Sequence, residues 1–229
     1  MPLITAQSES GDSVSAGSLF AVELRDLIRS TRPKRILETG TMYAMGSTRV
    51  IGEALKEFNI NADFRSIEIQ AERCEEARAN AKEFGIEVKI ECGLSIPRSL
   101  LPSKEDIKWR LSDVPSDIDV FTDFEPEDRV ESYFAETRVQ GAASDLIGKV
   151  LDDWDGMADL ILLDSAGHIG WSEFIHVLAM LRGPAWFALD DTRHVKHFKS
   201  RLAILEDSHF RVVADSPERF GFLIAHYMP

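Results

Sequence analysis

Apolar positions recur along this chain in two alternating rhythms. Between Ala16 and Ser30, Phe20, Leu24, Leu27 and Ile28 fall at helical spacing, and Pro33 stops that helix. Arg35-Ile36-Leu37-Glu38 reads as a short buried strand, and Val50, Ile51, Ala54, Leu55 and Phe58 form the next helical stripe. Phe64 to Ile67 is a second strand. Ala71, Cys74, Ala77, Ala81 and Phe84 line a helix that Gly85 ends, and Glu87 to Glu91 is a third strand. Val139, Ala142, Leu146 and Val150 predict a helix that leads into a fourth strand, Ala158 to Leu163. Trp171, Phe174, Ile175, Leu178 and Leu181 line a helix broken by Gly183-Pro184, and Trp186 to Leu189 is the fifth strand. A last helix carries Val195, Phe198, Leu202 and Leu205. Phe210 to Ala214 and Phe220 to His226 close the chain as strands, joined around Ser216-Pro217 by too short a link for anything but antiparallel pairing.

Strands that alternate with helices predict an α/β fold. The sheet is expected to be doubly wound, mostly parallel and seven-stranded, covered by helices on both faces, with an antiparallel C-terminal hairpin. The 229 residues fit a single domain with two appendages. Residues 1–14 are small and polar and read as a mobile arm. Residues 102–136 hold eleven acidic and four basic residues and three prolines, and read as an insertion, either a solvated excursion or a cap over a site.

The net charge of −13 disfavours nucleic acid and anionic membrane surfaces as partners. Arg32-Pro33-Lys34-Arg35, the densest basic run, reads as a solvated collar before a strand. A mean hydropathy of −0.14 and apolar runs of strand length exclude a membrane bundle. Met1-Pro2-Leu3 opens a polar, uncharged segment without the basic and apolar regions of a secretion signal. Cys74 and Cys92 have no metal-binding spacing, and a disulfide framework is not expected from two cysteines, so the cytoplasm is the expected compartment. These features leave a small-molecule substrate as the expected partner and are compatible with a homo-oligomer.

Open parallel sheets take ligands at the carboxyl ends of their strands. The first such end, Glu38-Thr39-Gly40-Thr41-Met42-Tyr43-Ala44-Met45-Gly46-Ser47-Thr48, is neither a dinucleotide fingerprint nor a phosphate-binding P-loop. Glu38 disfavours a pyrophosphate and favours a cationic ligand group, Gly40 permits close backbone approach, and Ser47 or Thr48 is placed to cap the following helix. A tight turn with no ligand is the plain structural alternative. Glu68, at the second strand end, can accept two hydrogen bonds from a ribose diol, or it is a helix-start charge favoured by the dipole. After the third strand, Gly93 and Leu94 can meet an adenine face and Ser95 can cap a helix. Asp164, Asp190 and Asp191 end the fourth and fifth strands on the same sheet edge. Three converging carboxylates repel, and a divalent cation such as Mg²⁺ relieves this.

In order and spacing, Ile36-Leu37-Glu38-Thr39-Gly40-Thr41, Ser66-Ile67-Glu68, Gly93-Leu94-Ser95 and Leu162-Leu163-Asp164 resemble the motifs of class I S-adenosylmethionine-dependent methyltransferases. The resemblance covers residues 16–101 and 138–226. It implies a Rossmann-like fold and a cofactor with a sulfonium, an amino acid and an adenosine. Glu38, Gly40, Thr41 and Ser47 would then face the methionine part, Glu68 the ribose, and Leu94 and Ser95 the adenine. The family's second glycine is replaced by Ala44.

The second half is similar to the catechol O-methyltransferase-like branch and its antibiotic- and sugar-modifying relatives, which hold Mg²⁺ on an Asp and an Asp-Asn pair. Asp164 and Asp190 match, and Asp191 replaces the Asn. The branch's Lys falls at Gly167, so its general base does not carry over, and His168 is the local substitute. His194 and His197 fall on one face of a helix, expected at the surface with metal ligation by the pair as the alternative, and with Lys196 they lie within reach of substrate. The implied activity is O-methylation of a small-molecule hydroxyl, with Asp164 and His168 at the reacting centre and an optional metal on Asp164, Asp190 and Asp191. A metal-dependent hydroxylase-type tailoring enzyme on the same fold and a non-catalytic adenosyl-ligand-binding protein are the alternatives.

Overall fold

The structure, a computed structural model, describes residues 4–5, 14, 17–103, 105–106, 109, 120–122, 143–165 and 168–229. Seven strands form one sheet: β1 (Arg35–Thr39), β2 (Asp63–Glu68), β3 (Lys89–Cys92), β4 (Leu160–Leu163), β5 (Ala185–Asp190), β6 (Phe210–Ser216) and β7 (Phe222–Tyr227). Their order is β3-β2-β1-β4-β5-β7-β6. The first five run parallel, and β7 pairs antiparallel with both β5 and β6. The expected doubly wound, mostly parallel seven-stranded sheet with a C-terminal hairpin is therefore present. Its order reverses between β1 and β4, the place where such sheets take ligands.

Strand parity sorts the core into two layers. Ile36, Phe64, Leu160, Leu162, Ala188 and Ile224 face α1 (Leu19–Thr31) and α2 (Ser47–Glu57). Leu37, Ile67, Ile161, Leu163, Phe187, Leu189 and Leu223 face α4 (Leu146–Asp153) and α5 (Gly170–Met180). Burial on both faces explains why these strands read as continuous apolar runs. Ser18 caps α1, its hydroxyl accepting from the Ala21 amide at 3.2 Å. Two further helices among the described residues are α3 (Ala71–Phe84), which ends on left-handed Gly85 as expected, and α6 (Phe198–Glu206).

Three sequence expectations change. The helix expected over Val139 to Val150 begins only at Leu146. Val139 and Ala142 lie outside the described residues, and Ala143 forms a bridge with Gly93, so the backbone there serves the β3 tip instead. The helix expected from Val195 begins at Phe198, because residues 192–197 form successive turns. Cys74 and Cys92, expected as separate thiols, form a disulfide between α3 and β3. The compartment argument thereby loses the support it took from unpaired cysteines.

Most of the 1–14 arm and of the 102–136 insertion lies outside the described residues. In the described parts, Ile4–Thr5 pairs in parallel with Phe121–Thr122, and Val120 packs on Val195 and Phe198. No helix among the described residues is long and apolar enough to cross a membrane.

Candidate active site

Glu38 occupies a sheet position whose parity points it into the α1/α2 layer, where it is fully buried. An isolated carboxylate there would be untenable. The fold supplies three hydroxyl donors: Ser47 Oγ at 2.6 Å, Thr48 Oγ1 at 2.7 Å and Ser66 Oγ at 2.6 Å. Ser66 is its register partner on β2, and Thr41 Oγ1 lies 2.5 Å from the Ser66 hydroxyl. Burial pushes the Glu38 carboxyl up, against the pull of these hydroxyls. Glu38, Thr41 and Ser47 are thus all buried. They lock the start of α2 to the strand tips. Ser47, expected as a cap, spends its hydroxyl on Glu38, and Gly46 stands at the cap position.

The β1 loop turns tightly over the sheet edge. Gly40 has φ of +86°, and a Cβ there would lie 2.4 Å from the Asp164 carbonyl oxygen, so glycine is required where the β1 and β4 tips meet. Ala44, which replaces the family's glycine, is nevertheless left-handed at φ 56°. The loop thus keeps the geometry a glycine would allow, at roughly 1 kcal/mol of strain. Glu68 receives this loop. Its Oε2 accepts the Met42 amide at 2.8 Å and its Oε1 the Gln70 amide at 3.0 Å. Burial raises its pKa against these bonds. A backbone bond from Ile69 joins these, so three of its four lone-pair sites are used, and the residue is 3% exposed. Beside it Met42, Tyr43 and Met45 are exposed.

Leu94 has no exposed surface, and Ser95 is buried as well. Main-chain bonds from Leu94 to Ala143 at 2.8 Å and from Leu146 to Leu94 at 3.0 Å draw this segment inward. The apolar face expected for adenine is therefore turned into the protein. Ser95 bonds Glu173 instead of capping a helix. Glu173, fully buried on α5, also accepts from Thr39 Oγ1 at 3.0 Å and Ser165 Oγ at 2.8 Å, tying together the tips of β1, β3 and β4. Sequence reasoning missed it. The signal was an acid in register with the apolar stripe of Gly170, Phe174 and Val177.

Asp164, Asp190 and Asp191 do converge, with carboxylate oxygens within 4.8 Å of one another. A lysine has joined them. Lys196 Nζ lies 2.6 Å from Asp164 Oδ1 and 2.8 Å from Asp191 Oδ2. Burial opposes the Lys196 charge, but the three carboxylates outweigh it and hold the ammonium protonated. Asp191 falls below the usual carboxylate range because Lys196 overcomes its burial. Burial and repulsion from Asp164 and Asp191 push Asp190 well up. Burial raises Asp164 too, with Lys196 partly offsetting.

His194 and His197, expected on a surface face, are both buried in the turns before α6. His197 Nδ1 lies 3.2 Å from Ser200 Oγ, and burial lowers its pKa to about 3, so it is neutral. His168 is buried at 3% exposure, just before α5. Gly167, where the branch carries its lysine, lies outside the described residues.

No family model matches this chain, and no curated protein matches it in sequence. Solved structures do match in fold. An O-methyltransferase from Bacillus cereus in complex with SAH aligns with a TM-score of 0.56 at 13% identity, covering 94% of this chain and 84% of that one. The O-methyltransferase TomG of Streptomyces achromogenes, involved in tomaymycin synthesis and solved with SAM, aligns at 0.51 and 15% identity over 94% and 82%. SAH-bound PaMTH1 of Podospora anserina aligns at 0.52 and 15% identity over 91% and 78%. The chain thus has the Rossmann-like fold that these methyltransferases carry.

The edge fits a cationic adenosyl cofactor in its chemistry. It carries Glu68 at the β2 tip and Asp164, Asp190 and Asp191 at the β4 and β5 tips, whereas Glu38 and Glu173 are spent on hydroxyls of the protein. It does not fit a metal, because the Lys196 ammonium already bridges Asp164 and Asp191.

Proposed function

We propose that this chain is an S-adenosylmethionine-dependent methyltransferase that methylates a hydroxyl oxygen of a small molecule. The observation that carries the reading is the reversal of strand order between β1 and β4, with Glu68 and Asp164 at tips on either side of it. The fold match to cofactor-bound O-methyltransferases over nearly the whole chain supports it. The net charge of −13 favours a small neutral or cationic acceptor over nucleic acid.

When bound, the cofactor supplies a methyl group on a sulfonium, whose departing thioether needs no protonation. The protein's tasks are then to hold it, align the acceptor oxygen, take the acceptor's proton and keep water out. Glu68 would hold the ribose through its remaining lone-pair site, its orientation fixed by the Met42, Gln70 and Ile69 backbone bonds. Met42, Tyr43 and Met45 offer apolar cover. Asp164 takes the proton: its side chain keeps 17% exposure, and its raised pKa makes it a better base than an ordinary aspartate. His168, expected for this task, is buried. No step requires a metal.

The test is acceptor-dependent formation of S-adenosylhomocysteine across a panel of small-molecule alcohols and phenols, with chelator present. Asp164→Asn should lower turnover by about a hundredfold. Cofactor binding with no turnover on any acceptor would favour the non-catalytic binding protein.

A further inference from the structure

We propose that Lys196 is the resident cation of the Asp164–Asp190–Asp191 triad, occupying the position from which a divalent ion would bridge Asp164 and Asp191. The chain then works without a metal. The inference rests on the methyltransferase reading only for what the triad serves.

Lys196 is 6% exposed, and a buried ammonium persists only where anions surround it. Its contacts of 2.6 and 2.8 Å go to carboxylates on two different strand tips, 32 residues apart in the case of Asp164. Cation and ligands therefore come from the same chain, and their pairing forms with the fold.

The backbone is built to deliver this side chain. Asp191 is left-handed at φ 52°, which turns the chain sharply after β5. The Thr192 amide donates to the Gly221 carbonyl at 2.9 Å and the Arg193 amide to Phe220 at 2.7 Å, docking the turn on the β6–β7 loop. The His194 amide then donates to the Asp191 carbonyl at 2.9 Å, folding the segment back over the triad. On the far side Gly170 closes in: a Cβ there would lie 2.8 Å from the Lys196 carbonyl oxygen. The Lys196 backbone is thus flanked by α5 on one side and the hairpin loop on the other. The Arg219 charge also acts on Asp164 and Asp191, and His194 on Asp191. The triad is compensated from several elements, all of this chain.

This arrangement gives a direct test on the full-length protein. Mn²⁺ is titrated against wild type, Lys196→Met and Lys196→Gln, with free ion read by electron paramagnetic resonance and folding checked by circular dichroism. Wild type should leave millimolar Mn²⁺ free. At least one folded variant should take up one ion per chain, at least tenfold more tightly than wild type, and melt at higher temperature with Mn²⁺ than without. Lys196→Gln keeps a neutral donor, one bond shorter, should Lys196→Met fail to fold. Stoichiometric Mn²⁺ uptake by wild type would overturn the inference, and so would no gain of binding in a folded variant. S-adenosylhomocysteine binding, measured on the same samples, fails or holds separately and reports on the methyltransferase reading.

Discussion

Two glutamates set the terms at the level of single residues. Glu38 and Glu173 each sit where the periodicity calls for an apolar side chain, one on a strand and one in a helix stripe, and each is met by three hydroxyls. Glu38 drew attention in the sequence because it ends a strand. Glu173 did not, because its partners Thr39, Ser95 and Ser165 lie on three separate segments. Lys196 was harder still, since a lysine in an apparent surface helix gives no sign of carboxylates that arrive from other strand tips.

Glu173 carries a pH signature. Its burial holds the carboxyl above the ordinary 4.5, despite hydrogen bonds from Ser95, Ser165 and Thr39. The folded chain binds this proton more tightly than the unfolded one. The stability it contributes is full below pH 4.5 and is lost as pH rises through the folded-state value. Glu173→Gln removes this titration. Relative to wild type, the variant should therefore gain stability steadily from acid to neutral pH, as read by urea unfolding. A pH-independent difference would show that Glu173 keeps an ordinary pKa.

At the scale of elements, nearly every strand and helix was legible. Apolar period, Pro33, Gly85 and Gly183-Pro184 mark local events that the chain decides within a few residues. The failures share a cause: the start of α4 and the start of α6 are fixed by long-range docking, of Ala143 on Gly93 and of residues 192–193 on the β6–β7 loop. Leu94 and Ser95 turned inward for the same reason.

The Cys74–Cys92 bond is an element-level staple that no periodicity reveals. It closes an 18-residue separation between α3 and β3. Closing a loop of that size restricts the unfolded chain by about 3 kcal/mol. Reduction by dithiothreitol, or Cys74→Ala, should lower the urea midpoint accordingly. An unchanged midpoint, with both thiols alkylated in the untreated protein, would show that the bond does not form in solution.

Across the whole molecule, the sheet edge concentrates carboxyl groups in a chain already at −13, and one lysine answers the densest cluster from within. That distribution suits a positively charged sulfur compound and a neutral or cationic acceptor, and it disfavours phosphate-rich partners. The decisive measurement is a calorimetric titration of the purified chain with S-adenosylhomocysteine in the presence of chelator. Saturable binding at one site per chain is expected, weakened about tenfold or more in Glu68→Ala, which corresponds to about 1.4 kcal/mol. Absence of saturable binding to the folded wild-type protein, or binding that Glu68→Ala leaves untouched, would contradict the placement of an adenosyl cofactor at this edge.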